Sequence, residues 1–223
     1  MTPASPGWSL IVPVKPLQWA KTRLSGFRSA AGLPAADRED LALAFALDTI
    51  GAAMACPEVG AVVVVTDDRR VGGALAATAA QVVPDGPAAG LNAALRHGAA
   101  VALRMQPASR IGALSADLPS LRPPDLGQVL RAASGHDVAM VADLDGSGTT
   151  LLLASSAATF DPSFGVGSRS RHVAAGAVVL GENVISLRRD VDTLTDLRAA
   201  LALGVGPATG AEVARLLGHG GAA

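Results

Sequence analysis

An apolar run, Trp8-Ser-Leu-Ile-Val-Pro-Val14, and the basic segment that follows it, Lys15-Pro-Leu-Gln-Trp-Ala-Lys-Thr-Arg-Leu24, indicate the fold class of this chain. The apolar run is typical of a strand buried on both faces, as in a sheet covered by helices. The basic segment carries Lys15, Lys21 and Arg23, and its two lysines are the only lysines among 18 basic residues. A lysine ammonium is a compact point charge. A loop with three cations after a buried strand therefore predicts a polyphosphate site, and the alternative is a solvated basic loop.

Further apolar runs alternate with helical patterns along the rest of the chain, which predicts an α/β fold. The expected strands cover 62–65, 81–83, 110–114, 138–141 and 150–154. The expected helices begin near 37, 72, 90, 124, 168, 195 and 209, the last with a capping box made by Thr209 and Glu212. We find no repeat or linker. We therefore expect a single domain over 1–223, with flexible tails at 1–7 and 219–223.

Composition excludes several classes of protein. The net charge is −1 and only 3% of residues are aromatic, whereas a nucleic-acid binder needs a basic surface or stacking rings. The single cysteine, Cys56, excludes an internal disulfide and fits a reducing compartment as a buried spacer. Neither a signal peptide nor an apolar run long enough to span a bilayer is evident. We expect a cytoplasmic protein that binds neither membranes nor nucleic acids.

Three aspartates are candidates for a metal site. Asp117 follows a buried strand, where ligands gather in open α/β sheets. If the segment 187–193 is extended, Asp190 and Asp192 point to the same side. Converging carboxylates can hold Mg²⁺, which takes oxygen ligands and substrate phosphates. The alternative is that Asp192 or Thr193 merely caps the following helix.

Two glycine-rich loops are candidate anion sites. Gly146-Ser-Gly-Thr-Thr150 joins two strands, and Phe164-Gly-Val-Gly-Ser168 leads into a helix. Glycine lets the backbone approach a ligand closely, and Thr150 and Ser168 add hydroxyl groups. Each loop alone would also fit an ordinary turn, which is how we interpret the acids of Asp143-Leu-Asp145.

Two further residues allow more than one interpretation. Asn92 in Gly90-Leu-Asn92 fits either a contact to a nucleobase edge or a helix cap. His172 fits a contact to a carboxylate substrate less well than a surface position on a polar helix face.

Taken in order, these motifs resemble the guanylyltransferase family of coenzyme F420 biosynthesis, over about residues 8–215. The motifs are Lys-Pro-Leu-x-x-Ala-Lys-Thr-Arg-Leu at 15–24, Leu91-Asn92, Ala116-Asp-Leu-Pro-x-Leu121, Gly148-Thr-Thr150, Phe164-Gly-x-Gly-Ser168 and Arg189-Asp-Val-Asp-Thr193. The tail at 204–209 is similar to actinobacterial members, which use phosphoenolpyruvate.

The resemblance implies an α/β nucleotidyltransferase fold related to GT-A glycosyltransferases, with a mixed, mostly parallel central sheet between helices. It implies GTP and Mg²⁺, and a reaction that yields enolpyruvoyl-2-diphospho-5′-guanosine and pyrophosphate. Archaeal relatives use 2-phospho-L-lactate as the acceptor instead. It further implies hand-off of the product to the next enzyme of the pathway, and the oligomeric state stays open.

The resemblance also implies roles for individual residues. Nucleotide binding and catalysis would fall to the basic segment, and binding of phosphoenolpyruvate to the glycine loops. The implied nucleotide ligands are Pro13, Lys15, Lys21, Arg23 and Asn92; the implied phosphoenolpyruvate ligands are Thr150, Gly165 and Ser168; the implied metal ligands are Asp117, Asp190 and Asp192.

Three alternatives remain at this point. A molybdenum-cofactor or sugar nucleotidyltransferase would usually carry a Gly-Gly-rich loop where Pro13-Val-Lys-Pro16 stands. A GT-A glycosyltransferase could use Asp190 and Asp192 for its metal. A catalytically silent nucleotide-binding regulator would bind GTP but would not need three acids and a second anion site.

Overall fold

A computed structural model describes residues 7–19, 24 and 33–218 of the chain. Within these residues, the strands are β1 (Trp8–Pro13), β2 (Val59–Val65), β3 (Gln81–Val83), β4 (Arg110–Leu114), β5 (Val138–Ala142), β6 (Thr149–Ala154) and β7 (Val178–Val179). The helices are α1 (Ala35–Met54), α2 (Arg69–Leu75), α3 (Leu91–Met105), α4 (Pro123–Ala133), α5 (Ser168–Ala174), α6 (Ile185–Arg188), α7 (Leu194–Leu203) and α8 (Pro207–Gly218). Short 3-10 turns cover Leu17–Trp19 and Ala157–Thr159.

The strands pair into one sheet in the order β3-β2-β1-β4-β6-β5-β7. Strand β6 runs antiparallel to β4 and β5, and every other pair is parallel. The expected α/β fold with a mixed, mostly parallel sheet is confirmed. Because β1 to β4 are parallel, their carboxyl ends lie at the same edge of the sheet, and β6 begins at that edge.

Helices cover both faces of the sheet. Buried side chains of α1 and α4 pack on one face, against residues such as Leu10 and Val64. Helix α3 packs on the other face, against Ile11 and Val65. The approach of α3 is close at Gly98, where an added Cβ would lie 2.6 Å from Cγ2 of Ile11 and 2.8 Å from Cγ2 of Val65. This packing fixes where α3 begins, at the edge to which β1 and β2 lead.

The capping box expected at Thr209 and Glu212 is wrong. Helix α8 begins two residues before Thr209, at Pro207. Its first turn is capped by Asp48 of α1, whose carboxylate accepts hydrogen bonds from the amides of Ala208 at 2.9 Å and Thr209 at 2.8 Å. The long-range cap satisfies the donors that a local one would have taken. None of the helices within the described residues is both long and apolar enough to cross a membrane.

Candidate active site

The carboxyl ends of β1 to β4 open into two adjoining cavities. The first, of about 310 Å³, reaches from Lys15 to Asp117 and Asp192. The second, of about 360 Å³, reaches from Lys15 to Asp67 and Asp85, which follow β2 and β3. The two cavities share five lining residues, which are Pro13, Val14, Lys15, Trp19 and Leu91. A single elongated ligand can therefore pass from one cavity into the other beside Lys15.

The loop after β1 is held in place by hydrogen bonds that its backbone amides donate. The amide of Val14 donates to the carbonyl oxygen of Val65, and the amide of Leu17 donates to Oδ2 of Asp68, both at 2.9 Å. These bonds place the exposed Lys15 and Trp19 at the mouth of both cavities. Lys21 and Arg23, expected in the same site, lie outside the described residues.

The structure brings Asp117, Asp190 and Asp192 together. The amide of Val191 donates to the carbonyl oxygen of Asp117 at 3.1 Å, which joins the two segments. Burial, together with the nearby carboxylates of Asp117 and Asp192, raises the pKa of Asp190 from 3.8 to about 7. Negative charge concentrated in this way is what a divalent cation neutralises.

The segment that carries these acids differs from the expected extended one. Leu187 and Arg188 belong to α6, and 189–193 lie between α6 and α7 without regular structure. Thr193 forms a capping box with Asp196 at the start of α7. Thr193 therefore is the cap that the sequence offered as an alternative, while Asp192 lines the first cavity.

Another acidic cluster lies outside the cavities. The ligand atoms of Asp37, Asp40 and Glu212 all lie within 4.8 Å of one another, the only such group among the described residues. The guanidinium of Arg215 forms ion pairs with all three, and Arg70 forms one with Asp40, so two guanidinium groups already offset most of this negative charge. The more open set at Asp117 leaves room for phosphate oxygens and waters, which Mg²⁺ usually keeps.

The hydroxyl groups expected to bind an acceptor are engaged within the protein. Thr150 Oγ1 donates to the carbonyl oxygen of Leu187 at 2.7 Å, and Ser168 Oγ donates to Oγ1 of Thr149 at 3.1 Å. Gly165 has a φ of +119° and Gly167 a φ of +71°, so this loop needs glycine at both positions. The loop lies beside the start of β6, which is next to β4 and Asp117.

Asn92 contacts the glycine loop at 164–168 through both polar atoms of its amide. Nδ2 donates to the carbonyl oxygen of Phe164 at 3.2 Å, and Oδ1 accepts from the amide of Phe164 at 2.8 Å. One turn further along α3, Arg96 donates to the carbonyl oxygen of Pro162. The structure therefore places Asn92 against the glycine loop, while its neighbour Leu91 lines both cavities.

His172 is buried, and the expectation of a surface position is wrong. Its Nε2 accepts from the amide of Ser163 at 3.0 Å, so Nδ1 carries the proton and donates to Thr149 Oγ1 at 2.9 Å. Burial, with the nearby Arg171 guanidinium, lowers the pKa of His172 from 6.5 to about 4. The neutral imidazole thus links Ser163, just before the glycine loop at 164–168, to Thr149 at the start of β6.

Asp143 and Cys56, which the sequence suggested as a turn residue and a buried spacer, both have structural roles. The carboxylate of Asp143 accepts from the amides of Ser147 at 2.9 Å and Gly148 at 2.7 Å, so it stabilises the turn. Cys56 is buried, and burial raises the pKa of its thiol to about 11. A thiol with that pKa is a poor nucleophile at neutral pH.

Solved structures of other proteins share this fold. A nucleotidyl transferase from Methanothermobacter thermautotroptrophicus matches with a TM-score of 0.59 and 18% identity, over 88% of this chain and 97% of that one. A Mycobacterium tuberculosis protein solved as a complex with manganese matches with a TM-score of 0.52 and 17% identity, over 88% of this chain and 98% of that one. The fold is that of nucleotidyltransferases.

Sequence comparison identifies the family. The model described as "Guanylyl transferase CofC like" matches residues 8–207. Proteins named phosphoenolpyruvate guanylyltransferase from Thermomonospora curvata and Streptomyces coelicolor are each 54% identical, over 94% of this chain and 90% and 97% of theirs. The chain belongs to the CofC-like guanylyltransferase family.

Proposed function

We propose that this protein transfers the guanylyl group of GTP to phosphoenolpyruvate, with release of pyrophosphate. The observation that carries the proposal is the line of sites along one sheet edge. A nucleoside-sized cavity lies at β1 to β3, Asp117 follows β4 with Asp190 and Asp192 beside it, and the glycine loop lies beside β6. The relatives that share half of the sequence carry this activity in their names. The product would pass to the next enzyme of coenzyme F420 biosynthesis.

The nucleotide would occupy both cavities. Its nucleoside would lie in the second cavity, and its phosphates would pass Lys15 towards Asp117 and Asp192. Lys15 would balance phosphate charge, as would Lys21 and Arg23 on sequence grounds. Pro13 ends β1 and lines both cavities, so it would give the nucleotide an apolar contact.

The carboxylates of Asp117, Asp190 and Asp192 would hold Mg²⁺. The donor set fits this hard cation, because it offers carboxylate oxygens. Burial also makes the negative charge of Asp190 unfavourable without a cation beside it. When bound, the ion would neutralise charge on the phosphates of GTP and on the pyrophosphate that leaves.

The acceptor would lie against the glycine loop at 164–168. Gly165 would let its phosphate approach the backbone. Thr150 and Ser168 would shape this end of the site, because their hydroxyl protons already serve Leu187 and Thr149. An oxygen of the acceptor phosphate attacks the α-phosphorus of GTP, one P–O bond forms, and the bond to the β-phosphate breaks. That oxygen is ionised at neutral pH, so the residues need to position and neutralise rather than remove a proton.

The test is pyrophosphate release by the purified protein with Mg²⁺, with GTP or ATP offered against phosphoenolpyruvate or 2-phospho-L-lactate. We expect release with GTP and phosphoenolpyruvate. Release with phospholactate alone would keep the chemistry and replace the acceptor. Binding of GTP without turnover in any combination would contradict the proposal and favour a nucleotide-binding regulator.

A metal control completes the experiment. Asp117→Asn removes one charge from the acid set and is expected to abolish Mg²⁺-dependent turnover in a folded protein. Asp145→Asn is the matched control, because Asp145 is exposed in the turn between β5 and β6. Full activity of Asp117→Asn would overturn the metal assignment.

A further inference from the structure

The second cavity changes chemical character along its length. At one end stands Lys15, and at the other stand the carboxylates of Asp67 and Asp85, with no other basic side chain among the described lining residues. Its walls between these ends are apolar and include Leu91 and the exposed indole of Trp19. The acidic end would repel a phosphate. It fits a planar, uncharged group that presents N–H donors.

Among nucleobases, guanine presents the donor pattern that a carboxylate matches. Its N1–H and 2-amino group point the same way from adjacent positions, so that one carboxylate can accept from both. Adenine presents an unprotonated N1 at the corresponding place, and this lone pair would face the carboxylate. A site built to hydrogen-bond a substrate N–H rejects analogues without it, because the buried acceptor is left unpaired.

Asp85 carries the more buried of the two carboxylates. Its Oδ1 accepts from the amide of Ala88 at 3.3 Å, and its own amide donates to Oδ1 of Asp67 at 3.1 Å. Asp85 is half-buried, whereas Asp67 is exposed. The backbone of this loop is strained, since Ala88 has a φ of +46°, a region that favours glycine. The side chain of Asp67 thus positions the backbone of Asp85.

We propose that the carboxylate of Asp85 reads the N1–H and 2-amino edge of the guanine base, and that Asp67 positions it. This inference rests on the proposed guanylyl transfer and names the residue that selects the base. Selection then depends on the loop after β3, at the far end of the nucleotide from the reacting phosphate. Loss of Asp85 should therefore change base preference rather than the metal or acceptor requirement.

The test measures kcat/KM for GTP, inosine triphosphate and xanthosine triphosphate, with phosphoenolpyruvate as the acceptor. Inosine lacks the 2-amino group, so we expect the wild-type protein to use it about 10-fold less well than GTP. Xanthine replaces the amino group by a carbonyl oxygen. An asparagine at position 85 would accept from N1–H and donate to that oxygen. We expect Asp85→Asn to lose about 10²-fold on GTP and to gain at least about 10-fold on xanthosine triphosphate.

Asp67→Asn is the charge-matched control. It removes the same charge beside the same cavity but keeps an oxygen that can accept from the amide of Asp85. We expect it to give no gain on xanthosine triphosphate. A gain at position 67 instead of 85, or equal use of GTP and inosine triphosphate by the wild type, would overturn the assignment. Absence of turnover by the wild-type protein with GTP would instead overturn the proposed function itself.

Discussion

At the scale of single residues, Asn92 makes a contact that neither interpretation of its sequence position, a nucleobase contact or a helix cap, included. Its amide holds Phe164 by two hydrogen bonds. We expect Asn92→Ala to release the glycine loop and raise KM for phosphoenolpyruvate about 10-fold, since two hydrogen bonds contribute about 1–3 kcal/mol. KM for GTP should stay unchanged in steady-state assays.

The kinetic split separates positioning from nucleotide binding. A rise in KM for GTP alone would contradict this positioning role and would indicate that Asn92 binds the nucleotide. Asn92→Asp keeps the oxygen that accepts from the Phe164 amide and should recover part of the loss. Arg104→Ala, in the last turn of the same helix, is the control for general effects on α3.

His172 should make stability depend on pH. Its pKa is about 4 in the folded protein and about 6.5 when unfolded. Between these values the unfolded chain binds the extra proton, so stability is complete above pH 6.5 and falls as the pH is lowered towards 4. We expect a loss of up to about 3 kcal/mol from this group.

Urea unfolding at several pH values checks this expectation. In His172→Gln the titrating group is absent, so the fall in the free energy of unfolding between pH 6.5 and 4 should be shallower than in the wild type. Parallel curves for the two proteins would contradict a buried neutral imidazole.

Residue-level prediction from sequence succeeded where a role depends on local position. Asp117 follows a strand and Asp192 lies in a recognisable motif, and both line the first cavity. The partners of Asn92 and His172 could not be predicted, because Phe164 is 72 residues from Asn92 and Thr149 is 23 residues from His172. A histidine in a polar-looking helix gives no signal that its ring is buried.

At the scale of elements, the packing of α3 on the sheet depends on a missing side chain. A methyl group at position 98 would overlap Ile11 and Val65, whose branched side chains cannot rotate away. We expect Gly98→Ala to lower the free energy of unfolding by about 1–3 kcal/mol. In α1, an added Cβ at Gly51 meets no heavy atom within 4 Å among the described residues, so Gly51→Ala should stabilise by about 0.5–1 kcal/mol.

The same substitution in two helices should thus change the free energy of unfolding in opposite directions, which chemical denaturation measures directly. Stabilisation by Gly98→Ala would show that α3 does not need its close approach. Because α3 begins at the two cavities, we also expect Gly98→Ala to reduce turnover, whereas Gly51→Ala should not.

Element-level prediction was limited by contacts between distant segments. Among the described residues, six of the seven strands and seven of the eight helices have a counterpart in the sequence pattern, and β3 and β4 have the expected bounds, whereas β7 and α6 were not predicted. The start of α8 could not be predicted from the local sequence, because its cap is Asp48, 160 residues from Ala208. A local capping signal at Thr209 was outweighed by a carboxylate that only the folded chain brings near.

At the scale of the whole molecule, the strand order sets the two cavities and the glycine loop at 164–168 in a line along one edge of the sheet. With the proposed binding mode, the order β3-β2-β1-β4-β6 would place base, phosphates and acceptor at successive strand ends. The sequence predicted the strands without their order, so it could not show that Asp85 and Asp117 lie on opposite sides of Lys15. The family resemblance predicted the reaction, and the strand order adds where along the sheet edge each part of the substrates would lie.

Such a site is expected to cost stability, and Asp190 makes the cost measurable. Burial and the carboxylates of Asp117 and Asp192 raise its pKa to about 7, so its charged form destabilises the folded chain above that pH. At pH 8 without metal, we expect Asp190→Asn to raise the free energy of unfolding by about 1–3 kcal/mol while abolishing turnover.

Mg²⁺ should stabilise the wild type and have little effect on the variant, because a cation offsets the repulsion only where the charges are present. Thermal unfolding with and without Mg²⁺ measures both effects, and Asp145→Asn should show neither. A less stable Asp190→Asn protein would mean that the carboxylate contributes to the fold rather than being tolerated for its chemistry.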